Sequence, residues 1–351
     1  MATITGIVSA SDKIGNPITV GITAAVLTGV ISFHNVKVIV TCHLLSNDGE
    51  TTLASGTFEM STPATNGEAI VMDVSSALRA VADQYEYSAD GLLLPYVVGS
   101  ISVYDEYMSN GVVSQTQPVS LELGTYYMGA YSDLERYIAG NFKNALTAGA
   151  RYTRKPVNIP EIWMQGETYV YPSSPNVSVA QQLSALGRQV INGHAVFVLP
   201  APASISNAEQ LTFQPNANRY VIRFVNGLGC IESVGVASVP KVAFSMASEQ
   251  LYRSGIQTFG NPSRSIYLKR NNRETWTFST GPLSKEWIDW YAHDFLTASC
   301  AWLLLGSRWL PIHIVPDESV TLVDPASGKA LDLQFNVQFD FDGSPLEVLA
   351  V

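Results

Sequence analysis

Charge is what this sequence has least of. Only 14% of its 351 residues are Asp, Glu, Lys or Arg, against roughly 25% in an average soluble chain. Much of the surface must therefore be Ser, Thr, Asn, Gln and backbone, which suits a subunit covered by neighbours or an extracellular particle. What charge there is leans acidic: 30 carboxylates face 20 Lys and Arg, a formal net of −10. That balance argues against nucleic acid as the main partner, because phosphate binding is driven by clustered cations. The densest basic cluster, Arg151, Arg154 and Lys155, sits beside the run KPVNIP and reads as a solvated linker.

Cysteine is nearly as scarce. Cys42, Cys230 and Cys300 are far apart, with no CxxC, which excludes a disulfide framework or a zinc site and leaves small buried hydrophobes. Long apolar runs are missing too. The longest weakly polar stretch, residues 21–33, is rich in Thr and Gly and too short to span a bilayer. MATITGIVSASDKIG lacks the basic region of a secretory signal. The expectation is a soluble chain made in a cytoplasm, without membrane insertion.

Sequence signatures of chemistry are absent as well. No GxxxxGK[ST] phosphate loop and no GxSxG nucleophile elbow occurs. His34, His43, His194, His293 and His313 form no pair at metal-ligand spacing on a helix, so they read as structural. The nearest approach to a cofactor motif is YVIRFVNGLGCIESVG, where Gly227-Leu228-Gly229 follows an alternating run. A dinucleotide loop needs a third Gly or Ala three residues on, and a helix after it. Glu232 stands there instead and β-branched residues follow, so the stretch reads as two strands joined at Asn226-Gly227. Asp332, Asp340 and Asp342 share one face of the last strand and read as solvated rather than as a calcium site. No catalytic, cofactor or metal residue is assigned, and the chain is expected to build or bind rather than catalyse.

Hydrophobic residues, in contrast, are plentiful at 46% and spread along the whole chain. Their spacing predicts a mainly β protein with a few short helices: tandem antiparallel sandwich-like modules, the last of them α+β. NVKVIVTCHLL places Val36, Val38, Val40, Cys42 and Leu44 on one face. Asn47-Asp48-Gly49 then turns the chain into TTLASGTFEM. Ser75 is positioned to cap SSALRAVADQ, with Leu78, Val81 and Ala82 inward, and strands follow at 96–104 and 111–123. Ser132-Asp133-Leu134-Glu135 is a capping box opening a helix to about residue 146, with Leu134, Tyr137, Ile138 and Phe142 as its apolar stripe. VSVAQQLSALGRQV predicts another helix and HAVFVLPAP a strand. SIYLKRNNRETWTFST reads as a hairpin turning at Asn271-Asn272. Ser284 is placed to cap SKEWIDWYAHDFL, where Trp287, Tyr291 and Phe295 repeat every fourth residue. CAWLLL and RWLPIHIV follow as strands, and ALDLQFNVQFDFD alternates strictly, the pattern of a sheet with one wet face.

The expected organisation is a sandwich-like domain over 1–125, a connecting helix over 126–150, a middle β-rich region over 151–245 and an α+β domain over 246–351. Tyr126, Tyr127, Tyr131, Trp163, Tyr169 and Tyr171 form the one aromatic grouping that suggests a ligand, a stacking platform for a surface glycan.

The order RYVIRFVNGLGCIES, the GNP turn before SIYLKRNNRETWTFSTGPLSKEWIDW, then RWLPIHIV and LDLQFNVQFDF resembles uncharacterised virion proteins of gut Bacteroidetes phages and prophages. The resemblance covers the N-terminal sandwich and the last third of the chain. It implies a tail or baseplate structural subunit in the virion, partnered by copies of itself in a symmetric ring and by neighbouring virion proteins. A glycan-binding module at a tail tip or cell surface is the alternative. No catalytic residue is carried over.

Overall fold

The structure, a computed structural model, describes residues 1–10, 12–29, 31–46, 49–89, 95–139, 154, 161–164, 168–173, 189–191, 194–199, 207–212, 220–236, 240–252, 265–283, 285–315 and 331–339. The chain is mainly β, with antiparallel sheets and a few short helices. It divides into two compact units: Met1–Thr153 with Ala203–Ala208 and Asn226–Cys230, and Arg154–Pro202 with Glu209–Val225 and Ile231–Val351.

The first unit contains β1 (Thr3–Ala10), β2 (Ile18–Thr23), β3 (Ile31–Leu45), β4 (Thr52–Pro63), β5 (Ala69–Asp73), α1 (Ser75–Ala82), β6 (Tyr96–Ser109), β7 (Val112–Gln115), β8 (Val119–Tyr127) and α2 (Asp133–Ala139). One sheet has the order β1-β2-β5; the other runs β4-β3-β6-β7, with β8 also paired to β6. Between them lies one apolar core that takes Ile18, Val20 and Ile22 from β2 and Val36, Val38 and Val40 from β3. Because side chains alternate along a strand, the predicted inward set of β3 is buried in full, and Cys42 and Leu44 continue it.

Helix α1 is capped by a different acceptor from the one expected. Leu78, Val81 and Ala82 are buried as expected. Ser75, however, is the first helical residue, and no side chain bonds from the N-cap position, Val74. Asp73 does the work from one residue earlier: its Oδ1 accepts the Ser75 N–H at 2.9 Å and the Ile18 N–H at 3.1 Å. Asp73→Ala is therefore expected to cost about 1–2 kcal/mol in urea unfolding, and Ser75→Ala less than that. The reverse ranking would return the cap to Ser75.

At α2 the capping box forms as read. Ser132 Oγ accepts the Glu135 N–H at 3.2 Å, and Glu135 Oε2 accepts the Ser132 N–H at 2.6 Å. The apolar stripe does not begin where expected, since Leu134 is 66% exposed. Phe142 and the rest of that expected helix lie outside the described residues.

The second unit contains β9 (Glu161–Met164), β10 (Thr168–Ser173), β11 (Gln189–Ile191), β12 (His194–Leu199), β13 (Asn207–Thr212), β14 (Tyr220–Val225), β15 (Ile231–Val236), β16 (Lys241–Tyr252), β17 (Ser265–Leu283), α3 (Lys285–Trp290), β18 (Ala301–Leu305), β19 (Arg308–Val315) and β20 (Leu331–Phe339). Its main sheet has seven strands in the order β15-β14-β18-β19-β20-β17-β16. One face is apolar, carrying Phe224, Trp276, Phe278, Ile312, Phe335 and Val337, and it is covered by α3 and the π-helical turn Tyr291–Phe295. Phe295 meets Phe335 edge to face at 4.9 Å, and Phe278 stacks on Phe335 at 5.7 Å. Such aromatic pairs contribute beyond their buried area. On β20, Leu333, Phe335, Val337 and Phe339 are buried while Gln334 is exposed, as the period-two reading requires.

Three expectations are corrected in this unit. Asn271 and Asn272 do not turn the chain: β17 runs straight through them, opposite Ala247 and Met246 of β16. The ladder with β16, unbroken through this point, outweighs the local turn preference of Asn-Asn. Gln189 and Val190, read as the end of a helix, pair with β12 instead. A boundary at 245 would cut β16. The predicted cap at Ser284 lies outside the described residues, as do Asp340 and Asp342.

Candidate functional site

The sequence expectation of an uncharged surface takes definite form on the first unit's large sheet. With Val36, Val38 and Val40 turned inward, the intervening residues must face out. Ile39 and Thr41 on β3 lie opposite Glu59 and Thr57 on β4 and opposite Ser102 and Ser100 on β6. Ser102 in turn pairs with Ser120 on β8. The centre of this face is thus hydroxyl and methyl groups, with His43 exposed at one end. Charge flanks this centre: Lys37 Nζ bonds Glu59 Oε1 and lies 3.9 Å from Glu106 Oε1, and the exposed Glu122 on β8 pairs with Ser100. The bond to Glu59 holds the Lys37 ammonium above the ordinary lysine range.

Beneath the face lies a polar cluster that the sequence reading missed. Asp105 occupies the inward phase of β6, in line with Val97, Ile101 and Val103, and is completely buried. Its Oδ1 accepts from His34 Nε2 at 2.8 Å and from the Ala25 N–H at 3.0 Å, and its Oδ2 accepts the Thr116 hydroxyl at 3.1 Å. Burial pushes the carboxyl up, but the bonds from Ala25, His34, Thr116 and the Ala2 N–H outweigh it and hold the group below the ordinary aspartate range. The hydroxyl sits on the carboxylate rather than on the imidazole, so His34 is not placed to take its proton. The order of contacts is that of a structural clasp. The available signal was one acidic residue in an otherwise apolar period-two set.

The remaining readings resolve one by one. Tyr126 is buried, its hydroxyl donates to the Leu123 carbonyl at 2.8 Å, and burial pushes its pKa up to about 12. Tyr131 is buried too and bonds Asp12 at 2.8 Å. Neither ring is open to a sugar, because these tyrosines pack inward. Tyr127 is partly exposed, its ring 6.3 Å from that of Tyr96, with Lys13 Nζ 5.8 Å from its centroid. Trp163 is placed on β9, and Tyr169 and Tyr171 on β10; their side chains lie outside the described residues. Cys42 is buried, which raises its thiol to about 11, the opposite of a reactive thiolate. Among the described residues no three His, Cys, Asp or Glu side chains are grouped to hold a metal.

The Gly-Leu-Gly stretch is a hairpin connection, with β14 paired to β15 from Tyr220↔Val236 to Val225↔Ile231. The turn is not a two-residue Asn-Gly one. Asn226–Cys230 forms a wider loop in which Asn226 Oδ1 accepts the N–H groups of Leu228 and Cys230 at 3.0 and 2.9 Å. Glu232 lies on β15 opposite Phe224 and is fully buried. Arg223, also fully buried, places its guanidinium 4.0 Å from the Trp309 ring centroid. In the π-helical turn Asp294 is buried and accepts from Arg154 at 2.6 Å, so Arg154 is an ion-pair partner rather than a solvated linker residue. No family model, curated protein or solved structure matches the chain.

Proposed function

We propose that this protein is a structural subunit of a phage virion, of its tail or baseplate, acting through contacts with copies of itself in a ring and with neighbouring virion proteins. The observation that carries this reading is the outward face of the first unit's large sheet. At its centre it offers Ile39, Thr41, Thr57, Ser100, Ser102 and Ser120, with Lys37 bonded to Glu59 and with Glu106 and Glu122 around them. A face of hydroxyls and methyls is cheap to desolvate, unlike one of Lys and Glu, whose charges cost several kcal/mol each on burial. The sequence resemblance and the low overall charge support the same reading. Mass spectrometry of purified particles is expected to find the chain at many copies per virion. Absence from particles, together with a monomer at the highest soluble concentration, would overturn it.

A further inference from the structure

Strand β4 closes one edge of the first unit's large sheet, and among the described residues it pairs with β3 alone. Edge strands of monomers are normally blunted by lysine, by inward-pointing charge, by a bulge or by proline within the strand. From Ala54 onward β4 carries none of these guards; its one register shift against β3 falls at Leu53, next to the start of the strand. It has no Lys or Arg, its one acid, Glu59, is bonded to Lys37, and its only proline is the last residue, Pro63. Its register with β3 runs without a shift from Asn35↔Pro63 to Leu44↔Ala54. Such an edge presents a straight row of backbone donors and acceptors that another strand satisfies.

The side-chain pattern identifies which strand fits. Resting on the assembly reading above, we propose that two copies of the chain pair antiparallel through β4 about a two-fold axis at Thr57. That register lays residues 52–62 on themselves. On the inner face, where Ala54, Phe58 and Met60 already pack against the core, it sets Gly56 opposite Phe58 and Ala54 opposite Met60. Each pair is one small and one large side chain, so the sandwich core continues across the axis. On the outer face Thr57 meets Thr57 and Ser55 meets Glu59, and no like charges face each other. Moving the axis to Glu59 would set two carboxylates opposite, which is destabilising; moving it to Phe58 would set two rings opposite each other and, on the inner face, the polar Thr62 opposite Ala54. The contact is isologous and leaves the open sheet face available for other neighbours.

Register-specific cross-linking of the full chain tests this. Under mild oxidation Thr57→Cys is expected to give a covalent dimer. Ser61→Cys alone is expected not to, but to cross-link when mixed with Leu53→Cys, the residue it faces across the axis. Thr57→Lys, an exposed position, is expected to shift the light-scattering mass from two chains to one while the far-UV circular dichroism spectrum stays unchanged. The wild-type chain, whose cysteines are Cys42, Cys230 and Cys300, controls for native thiols. A wild-type monomer at the highest soluble concentration, or Ser61→Cys cross-linking as fast as Thr57→Cys, would overturn the pairing. Particle mass spectrometry reads the virion role separately, so either proposal can fail while the other stands.

Discussion

Gly129→Ala and Gly229→Ala are each expected to destabilise the first unit by about 2–5 kcal/mol. Both residues have left-handed backbones, with φ of +84° and +81°, a conformation that costs other residues roughly 1–2 kcal/mol. They also stand where two backbones meet. A Cβ on Gly229 would lie 2.5 Å from the Met128 carbonyl carbon and 2.8 Å from the Gly129 nitrogen, and one on Gly129 would overlap the Leu228 carbonyl carbon. Backbone atoms cannot rotate away as a flexible side chain can, so overpacking adds about 1–3 kcal/mol. The loop cannot simply withdraw either. The Ala130 N–H bonds the Gly227 carbonyl at 2.9 Å, Lys13 Nζ bonds the Leu228 carbonyl at 2.7 Å, and the Tyr87 hydroxyl bonds that of Gly229 at 3.2 Å. Gly111→Ala supplies the control, having φ +78° but nothing within 4 Å of its Cβ. It is expected to cost about 1 kcal/mol. Urea and thermal unfolding compare the three, and Gly129→Ala matching Gly111→Ala would refute the close approach.

Asp105→Ala is expected to cost about 3–5 kcal/mol, because hydrogen bonds to a buried charge contribute more than neutral ones and their donors would be stranded. His34 is the most exposed to this loss: its Nδ1 is already buried without a hydrogen-bond partner among the described residues, so Nε2···Asp105 is its one anchor. The pH dependence has a definite sign. A carboxyl held below its unfolded value of about 3.9 stabilises the fold fully above that pH, and the contribution is lost as pH falls through the lower folded value. Acid unfolding of the wild type should therefore steepen below about pH 4. Asp105→Asn, which does not titrate, should be less stable near neutrality yet show a shallower acid limb. Parallel limbs for the two proteins would remove Asp105 from the acid response.

Much of the fold was legible locally. The inward sets of β3 and β20 could be read because alternation of apolar and polar residues has one physical outcome at a half-buried sheet. The Ser132–Glu135 capping box was readable for the same reason: its partners are three residues apart. The candidate face followed from composition and alternation together, since a chain with so little charge must expose something else. The two-strand reading around Gly227-Leu228-Gly229 matches the β14–β15 pairing, although nothing local marks the Glu232 carboxylate as fully buried.

What failed was whatever depends on distant partners. Asn271-Asn272 carries a turn preference, but β16 pairs with β17 through both residues and holds the strand extended. Asp105 could not be assigned a role from its own neighbours, because His34 and Ala25 reach it from 71 and 80 residues away. Tyr126 and Tyr131 looked like a platform because aromaticity is written in the sequence and orientation is not. Alternation by itself determined which side of each strand is dry. Only the tertiary structure decided which strands adjoin and which of the described strands stands last in its sheet, because hydrogen-bonded pairing between remote strands carries no local signature in the residues that make it.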